Sequence, residues 1–173
     1  MKGVIVLCLQ SLVKEKFGED KWRKILSEAG MEKAIFLATR DVDDKDVLKI
    51  VNALCRVLKI SQSQAADVFG DYWVSVCSQK TYRPYYRGAA TAKEFLLRTD
   101  EIHVAVTRGI PGAKPPRFDY EWKDSRTLIM KYKSHRGLVD FAVGLVKGVG
   151  KFYKEDLKVS KLGPDKIQIV FPD

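Results

Sequence analysis

The chain has 173 residues, 46% of them hydrophobic and 31% charged, which is apolar material for a sizeable core and too much for a disordered chain. Lys and Arg outnumber Asp and Glu by 31 to 22, and the net charge of +9 favours an anionic ligand, an acidic partner or nucleic acid without choosing among them. No apolar run approaches the roughly 20 residues of a bilayer span, and the polar turn at Gln10 after a short apolar start does not read as a secretory leader. No membrane insertion is expected, and the expected location is the cytoplasm. Cys8, Cys55 and Cys77 are odd in number, widely spaced and set in apolar sequence, so three reduced, buried thiols are expected.

Helical spacing dominates the first half. Ile5, Cys8, Leu9, Leu12 and Val13, then Trp22, Ile25 and Leu26, predict two short helices. Asp43 and Asp44 offer a cap before Val47, Ile50, Val51, Leu54, Val57 and Leu58, and Ser61 or Ser63 opens a helix through Ala65, Val68, Phe69, Trp73 and Val76. Ser78 to Gly88 has no clean period and reads as an irregular connection. Thr91 then caps one helix carrying Phe95, Leu96, Ile102, His103 and Val106, which must end near Gly109, Pro111 and Gly112. Beyond this point the period becomes two. Phe118, Tyr120 and Trp122 and then Leu128, Met130 and Tyr132 alternate with polar residues around Asp124-Ser125, predicting an antiparallel pair. A helix from Leu138 to Phe152 follows, then two more short strands joined by Gly163-Pro164-Asp165. The class is α+β.

Two histidines are present. His103 lies on a largely apolar helix face, where it is either a core histidine satisfied by one hydrogen bond or a ligand of the kind haem iron takes from a proximal residue. In Tyr132-Lys133-Ser134-His135-Arg136 an extended chain would put Tyr132, Ser134 and Arg136 on one face. That face is either a solvated strand surface or a clamp of two hydroxyls and a guanidinium for a carboxylate or phosphate. His135 would then face solvent. No P-loop, Gly-rich dinucleotide motif, HExxH or paired Cys is present, so catalysis is not expected. Tyr82, Arg83, Tyr85, Tyr86 and Arg87 are the one aromatic and basic group suited to a nucleic-acid surface, and the rest of the basic residues are interspersed with acidic ones.

Several of these elements together resemble one family. The opening Met1-Lys2-Gly3-Val4-Ile5, Phe17-Gly18 with Trp22, Asp100 with His103, Gly112 with Pro115-Pro116, and Tyr132 with Ser134 and Arg136 are similar, in order and spacing, to the haem-nitric oxide/oxygen binding (H-NOX) domains. The resemblance covers essentially the whole chain. It implies a single domain over 1–173, with a helical distal subdomain over about 1–60, a proximal subdomain over 61–173 holding an antiparallel sheet and helices, and one haem b between them. His103 would be the axial iron ligand, and Tyr132, Ser134 and Arg136 would hold the propionates. Pro116 would press on the porphyrin, and Ile5, Leu9, Trp73, Cys77, Phe141 and Leu145 would line the pocket.

The expected ligands are nitric oxide and carbon monoxide, because Phe141 stands where oxygen-binding members carry a distal tyrosine and Leu9 where they often carry tryptophan. Oxygen on ferrous haem gains from a nearby donor, and nitric oxide depends on one less. The alternative is an oxygen-binding sensor using a donor from Tyr72, Trp73 or Ser75; a basic nucleic-acid-binding module is the second alternative. The cysteine cluster that holds zinc in some bacterial members is not expected here. The chain resembles the stand-alone bacterial type, whose implied partner is a separate histidine kinase or a cyclic-di-nucleotide enzyme.

Overall fold

The computed structural model describes residues 1–110 and 112–172, so Pro111 and Asp173 lie outside the described residues. The chain is α+β and divides into two compact units, Met1–Ala65 and Ala66–Asp173.

In the first unit, α1 (Gly3–Phe17), α2 (Glu19–Glu28) and α3 (Asp44–Leu58) follow the predicted apolar stripes. Val6, Leu12, Val13, Trp22, Ile25, Ile50 and Leu54 are all buried. Gly18 joins α1 to α2 at φ 90°, a backbone region glycine enters without a Cβ clash. Asp43 caps α3 by accepting the Lys45 N–H at 2.7 Å, as the acidic pair before Val47 predicts. Ser61 and Gln64 form a reciprocal capping box at the start of α4 (Gln62–Tyr72). Cys55 is a free thiol, pushed up by burial. Cys8, in contrast, is disulfide-bonded and corrects the expectation of a reduced thiol.

In the second unit, α4 widens into a π-turn at Trp73–Cys77, followed by α5 (Ser78–Thr81) and α6 (Arg83–Arg87). The segment predicted to be irregular is therefore helical in single turns, each too short to show a period, with Pro84 pre-set in the first turn of α6. The Val74 carbonyl accepts from Ser78 Oγ at 3.2 Å and Gln79 Nε2 at 2.9 Å, so side chains bond to the widened turn. Cys77, the last π-turn residue, is disulfide-bonded, a second correction to the expected reduced state.

Thr91 caps α7 (Ala92–Leu97) through the Glu94 N–H. The single helix expected beyond it is two, because the chain breaks at Arg98 before α8 (Thr99–Thr107). The strands β1 (Arg117–Trp122), β2 (Thr127–Lys133), β3 (Lys158–Leu162) and β4 (Lys166–Val170) make one antiparallel sheet in the order β1-β2-β4-β3. Cross-strand pairs Phe118–Tyr132, Tyr120–Met130 and Leu128–Ile169 fix the core-facing register. The helix α9 (Val139–Tyr153) packs on β3 and β4 and completes the core with Ala142, Val146 and Val149.

Two helices of this unit approach unusually closely. A Cβ on Gly144 would stand 2.1 Å from the Ala66 carbonyl oxygen, and one on Gly148 would stand 2.5 Å from that of Gly70. Contacts that advance together along α4 and α9 mean the helices run in the same direction. Lys147–Asp67 (2.8 Å) and Lys151–Asp71 (3.2 Å) bridge them alongside the glycine contact.

Candidate functional site

His103 sits in the middle of α8, a helix with no fully buried residue, and its ring is turned toward the sheet. Its Nδ1 lies 3.2 Å from the Pro116 carbonyl oxygen. A carbonyl only accepts, so Nδ1 carries the proton and the lone pair is left on Nε2. Burial pushes the imidazole below its ordinary value, against the opposing effects of the Pro116 carbonyl and the Asp100 charge, so the neutral form is favoured. A neutral imidazole oriented by a backbone carbonyl on its other nitrogen is the form in which histidine ligates a metal. Among the described residues no group of three or more His, Cys, Asp or Glu could hold a metal ion.

The surroundings of His103 tie α8 to β1. Asp100, one turn earlier, receives Arg117 Nε at 2.8 Å and Nη2 at 2.6 Å, together with the Phe118 N–H at 2.8 Å. The Arg117 guanidinium beside it holds the Asp100 carboxyl below the usual range. The Phe118 ring lies between the other two groups, 5.5 Å from His103 and 5.8 Å from Tyr132. Phe118, Asp100 and Arg117 form this setting, and the sequence marked only Asp100, by its spacing to His103; pairing across 17 residues has no local signal.

The expected strand clamp takes a different form. Strand β2 ends at Lys133, Ser134 is irregular, and His135 and Arg136 lie in a turn, so Tyr132, Ser134 and Arg136 do not share one strand face. The reason is local. The Arg136 N–H donates to Ser134 Oγ at 3.3 Å, a side-chain bond two residues back that curls the backbone out of extension. Tyr132 stays buried in the sheet, and Arg136 Nη1 reaches the Lys114 carbonyl at 2.7 Å. The three donors remain within five residues of chain, and Arg136 fastens the loop that leads to half-buried Pro116. His135 is exposed, as expected.

A second group lies on α4, the π-turn and α9. The Phe141 ring meets Phe69 edge-on at 5.7 Å, and Phe69 stacks on Trp73 at 6.1 Å, so Phe141 and Trp73 flank one ring. Leu145, one turn along α9, is half-buried against the same core, and Cys77 closes the π-turn. Ser75 donates to the Asp71 carbonyl within its own helix. Ile5 and Leu9 belong to α1 of the first unit, Leu9 buried and Ile5 half-buried. The aromatics proposed for a nucleic-acid surface are turned inward: Tyr86 is buried and stacked on Phe95 at 4.4 Å, while Tyr82 and Tyr85 pack on the core. Only Arg83 and Arg87 of that group are exposed, which removes the stacking platform. No helix among the described residues is long and apolar enough to cross a membrane.

Known proteins share this architecture. A mutant H-NOX protein from K. algicida, in its Fe(II) unliganded form, superposes with a TM-score of 0.87 at 24% identity, covering 100% of this chain and 97% of that one. An oxygen binding H-NOX domain related to soluble guanylate cyclases, in its oxygen complex, superposes with a TM-score of 0.80 at 25% identity, covering 100% and 96%. In sequence, the chain is 27% identical over 156 residues to soluble guanylate cyclase gcy-34 of Caenorhabditis elegans, covering 87% of this chain and 23% of the relative. It is 26% identical over 161 residues to soluble guanylate cyclase 89Da of Drosophila melanogaster, covering 91% and 24%. The chain thus spans about a quarter of the length of these relatives. The Haem-NO-binding (HNOB) family model matches residues 2–161, and the chain belongs to that family.

Proposed function

We propose that this chain is a haem-based gas sensor that takes nitric oxide and carbon monoxide at ferrous haem b and signals to a separate partner, a histidine kinase or a cyclic-di-nucleotide enzyme. The observation that carries this reading is the His103 imidazole, neutral and oriented by the Pro116 carbonyl so that Nε2 holds a lone pair. Bound haem would supply an iron able to take a diatomic gas. His103 would hold that iron, and Tyr132, Ser134 and Arg136 would offer the two hydroxyls and the cation that suit propionate carboxylates. Pro116 both orients His103 through its carbonyl and belongs to the loop that Arg136 fastens.

The choice of nitric oxide over oxygen is supported by Phe141 itself, whose ring carries no hydrogen-bond donor and meets the Phe69 ring, which carries none either, edge-on at 5.7 Å. Signalling follows from how α8 is held. With no fully buried side chain, that helix is held on β1 by polar contacts at Asp100, Pro116, Arg117 and Tyr120 and by half-buried Ile102, so a change at His103 acts directly on the contacts that set its position relative to the sheet. The test is His103→Gly. The variant should lose most of its haem on purification and regain a ferrous absorption spectrum with added imidazole; an unaltered ferrous spectrum without imidazole refutes the assignment.

A further inference from the structure

The break at Arg98 leaves unpaired carbonyls at the end of α7 and unpaired N–H groups at the start of α8. Arg98 provides no side-chain cap for α8, and its Nη1 is turned to the Gly88 carbonyl at 2.6 Å. The Thr99 hydroxyl donates to the Phe95 carbonyl at 3.2 Å, and a further cap, which reaches both ends, comes from the sheet. The Tyr120 hydroxyl donates to the Leu96 carbonyl at 2.9 Å and accepts the Asp100 N–H at 3.3 Å, so one oxygen closes both helix ends. Tyr120 is half-buried on the core-facing side of β1, opposite Met130. Burial pushes its phenol up to about 12, and the hydroxyl remains a donor across the physiological range. The Arg117–Asp100 pair, three residues earlier on β1, is different in kind. Its guanidinium is 55% exposed while the Asp100 side chain is 18% exposed and also accepts the Phe118 N–H, so this bidentate pair ties the same turn of α8 to β1 through a carboxylate, alongside the Tyr120 hydroxyl.

We propose that Tyr120 is a positioning residue for His103, pinning the α7–α8 joint to β1 and so fixing the direction from which α8 presents its imidazole. This rests on the reading of His103 as axial ligand. His103 lies one turn beyond Asp100, so a displacement at the joint is carried to the imidazole by a single rigid turn. The Pro116 carbonyl fixes the rotation of the ring, while Tyr120 fixes the origin of the helix that bears it.

The experiment compares Tyr120→Phe with Tyr153→Phe, since the Tyr153 hydroxyl makes one similar bond, to the Tyr86 carbonyl at 2.8 Å, on α9. Haem-loaded wild type and variants are measured for amide exchange over Thr99–Thr107 and for the iron–histidine stretching band of the ferrous protein. A neutral hydrogen bond is worth about two- to tenfold in an equilibrium, so loss of both Tyr120 bonds should speed α8 exchange by roughly tenfold or more and shift the band. Tyr153→Phe should change neither. Wild-type exchange rates in Tyr120→Phe, or an equal rise in Tyr153→Phe, overturn the proposal. Faster α8 exchange with an unmoved band also overturns it, reducing Tyr120 to a structural cap. Absence of an iron–histidine band in the wild type refutes His103 as ligand and the positioning role with it, an outcome distinct from the others.

Discussion

Gly144 offers the sharpest test of the second unit, because the sign of the effect is opposite to what helix propensity alone predicts. Replacing glycine by alanine inside a freely exposed helix stabilises it by up to about 1 kcal/mol. Here the new methyl would stand 2.1 Å from the Ala66 oxygen and 2.4 Å from its carbon, where ordinary contact begins at 3.4 Å. Both obstacles are backbone, so no side chain can rotate away, and α4 and α9 must part by about 1 Å to restore normal separation. Overpacking of this kind costs about 1–3 kcal/mol, and the parting also strains the Lys147–Asp67 and Lys151–Asp71 bridges, worth at most about 1 kcal/mol each at the surface. Against the propensity gain, Gly144→Ala should destabilise by about 2 kcal/mol in urea unfolding. Because Phe141 and Leu145 flank Gly144 on α9 and Phe69 precedes Gly70 on α4, the Phe69–Phe141 contact should loosen too, changing the near-ultraviolet aromatic signal. A Gly144→Ala protein as stable as the wild type would refute the close crossing.

Two further outcomes follow from the candidate site. Arg136→Ala should lower the ratio of haem to protein more than Ser134→Ala, because a charge-assisted bond is worth about 1.5–3 kcal/mol against about 1 kcal/mol for a neutral one. Losing Arg136 also frees the Lys114 carbonyl and the loop before Pro116; full and equal occupancy in both variants would place the carboxylates elsewhere. The ferrous wild type should bind nitric oxide and carbon monoxide while its absorption spectrum in air shows no stable oxygen binding. Phe141→Tyr should slow oxygen release by roughly ten- to a hundredfold if its hydroxyl reaches the ligand. Stable oxygen binding by the unmodified protein would refute the selectivity.

The elements legible in the sequence are those whose reason is local. Asp43 before Val47, Ser61 before Gln64 and Thr91 before Glu94 all cap where their side-chain chemistry indicates, and the alternation from Phe118 to Tyr132 folds into β1 and β2. The misread segments depend on distant partners. Apolar spacing runs through Arg98 without a break, and although the Thr99 hydroxyl bonds to the Phe95 carbonyl, the oxygen that reaches both helix ends belongs to Tyr120 on β1. Gly144 and Gly148 look like ordinary helix-weakening residues until Ala66 and Gly70 are set against them. Ser134 reads as a strand residue by period, yet its hydroxyl competes for the Arg136 N–H and wins. His103 was identifiable as a candidate, whereas its tautomer was not, since the deciding carbonyl is Pro116, 13 residues on.

The π-turn at Trp73–Cys77 amounts to one residue more than an α-helix would use over the same rise. Each residue of an α-helix advances the side-chain direction by about 100°, so this single insertion re-phases everything that follows it. Ser78, brought round in this way, meets the Tyr86 hydroxyl at 2.9 Å in the buried interior. Deleting one residue here would not merely shorten a connection. It would turn Ser78 and the start of α5 away from Tyr86, and a gain or loss of one amino acid at this place is therefore a rotation of the helix surface rather than a change in its length.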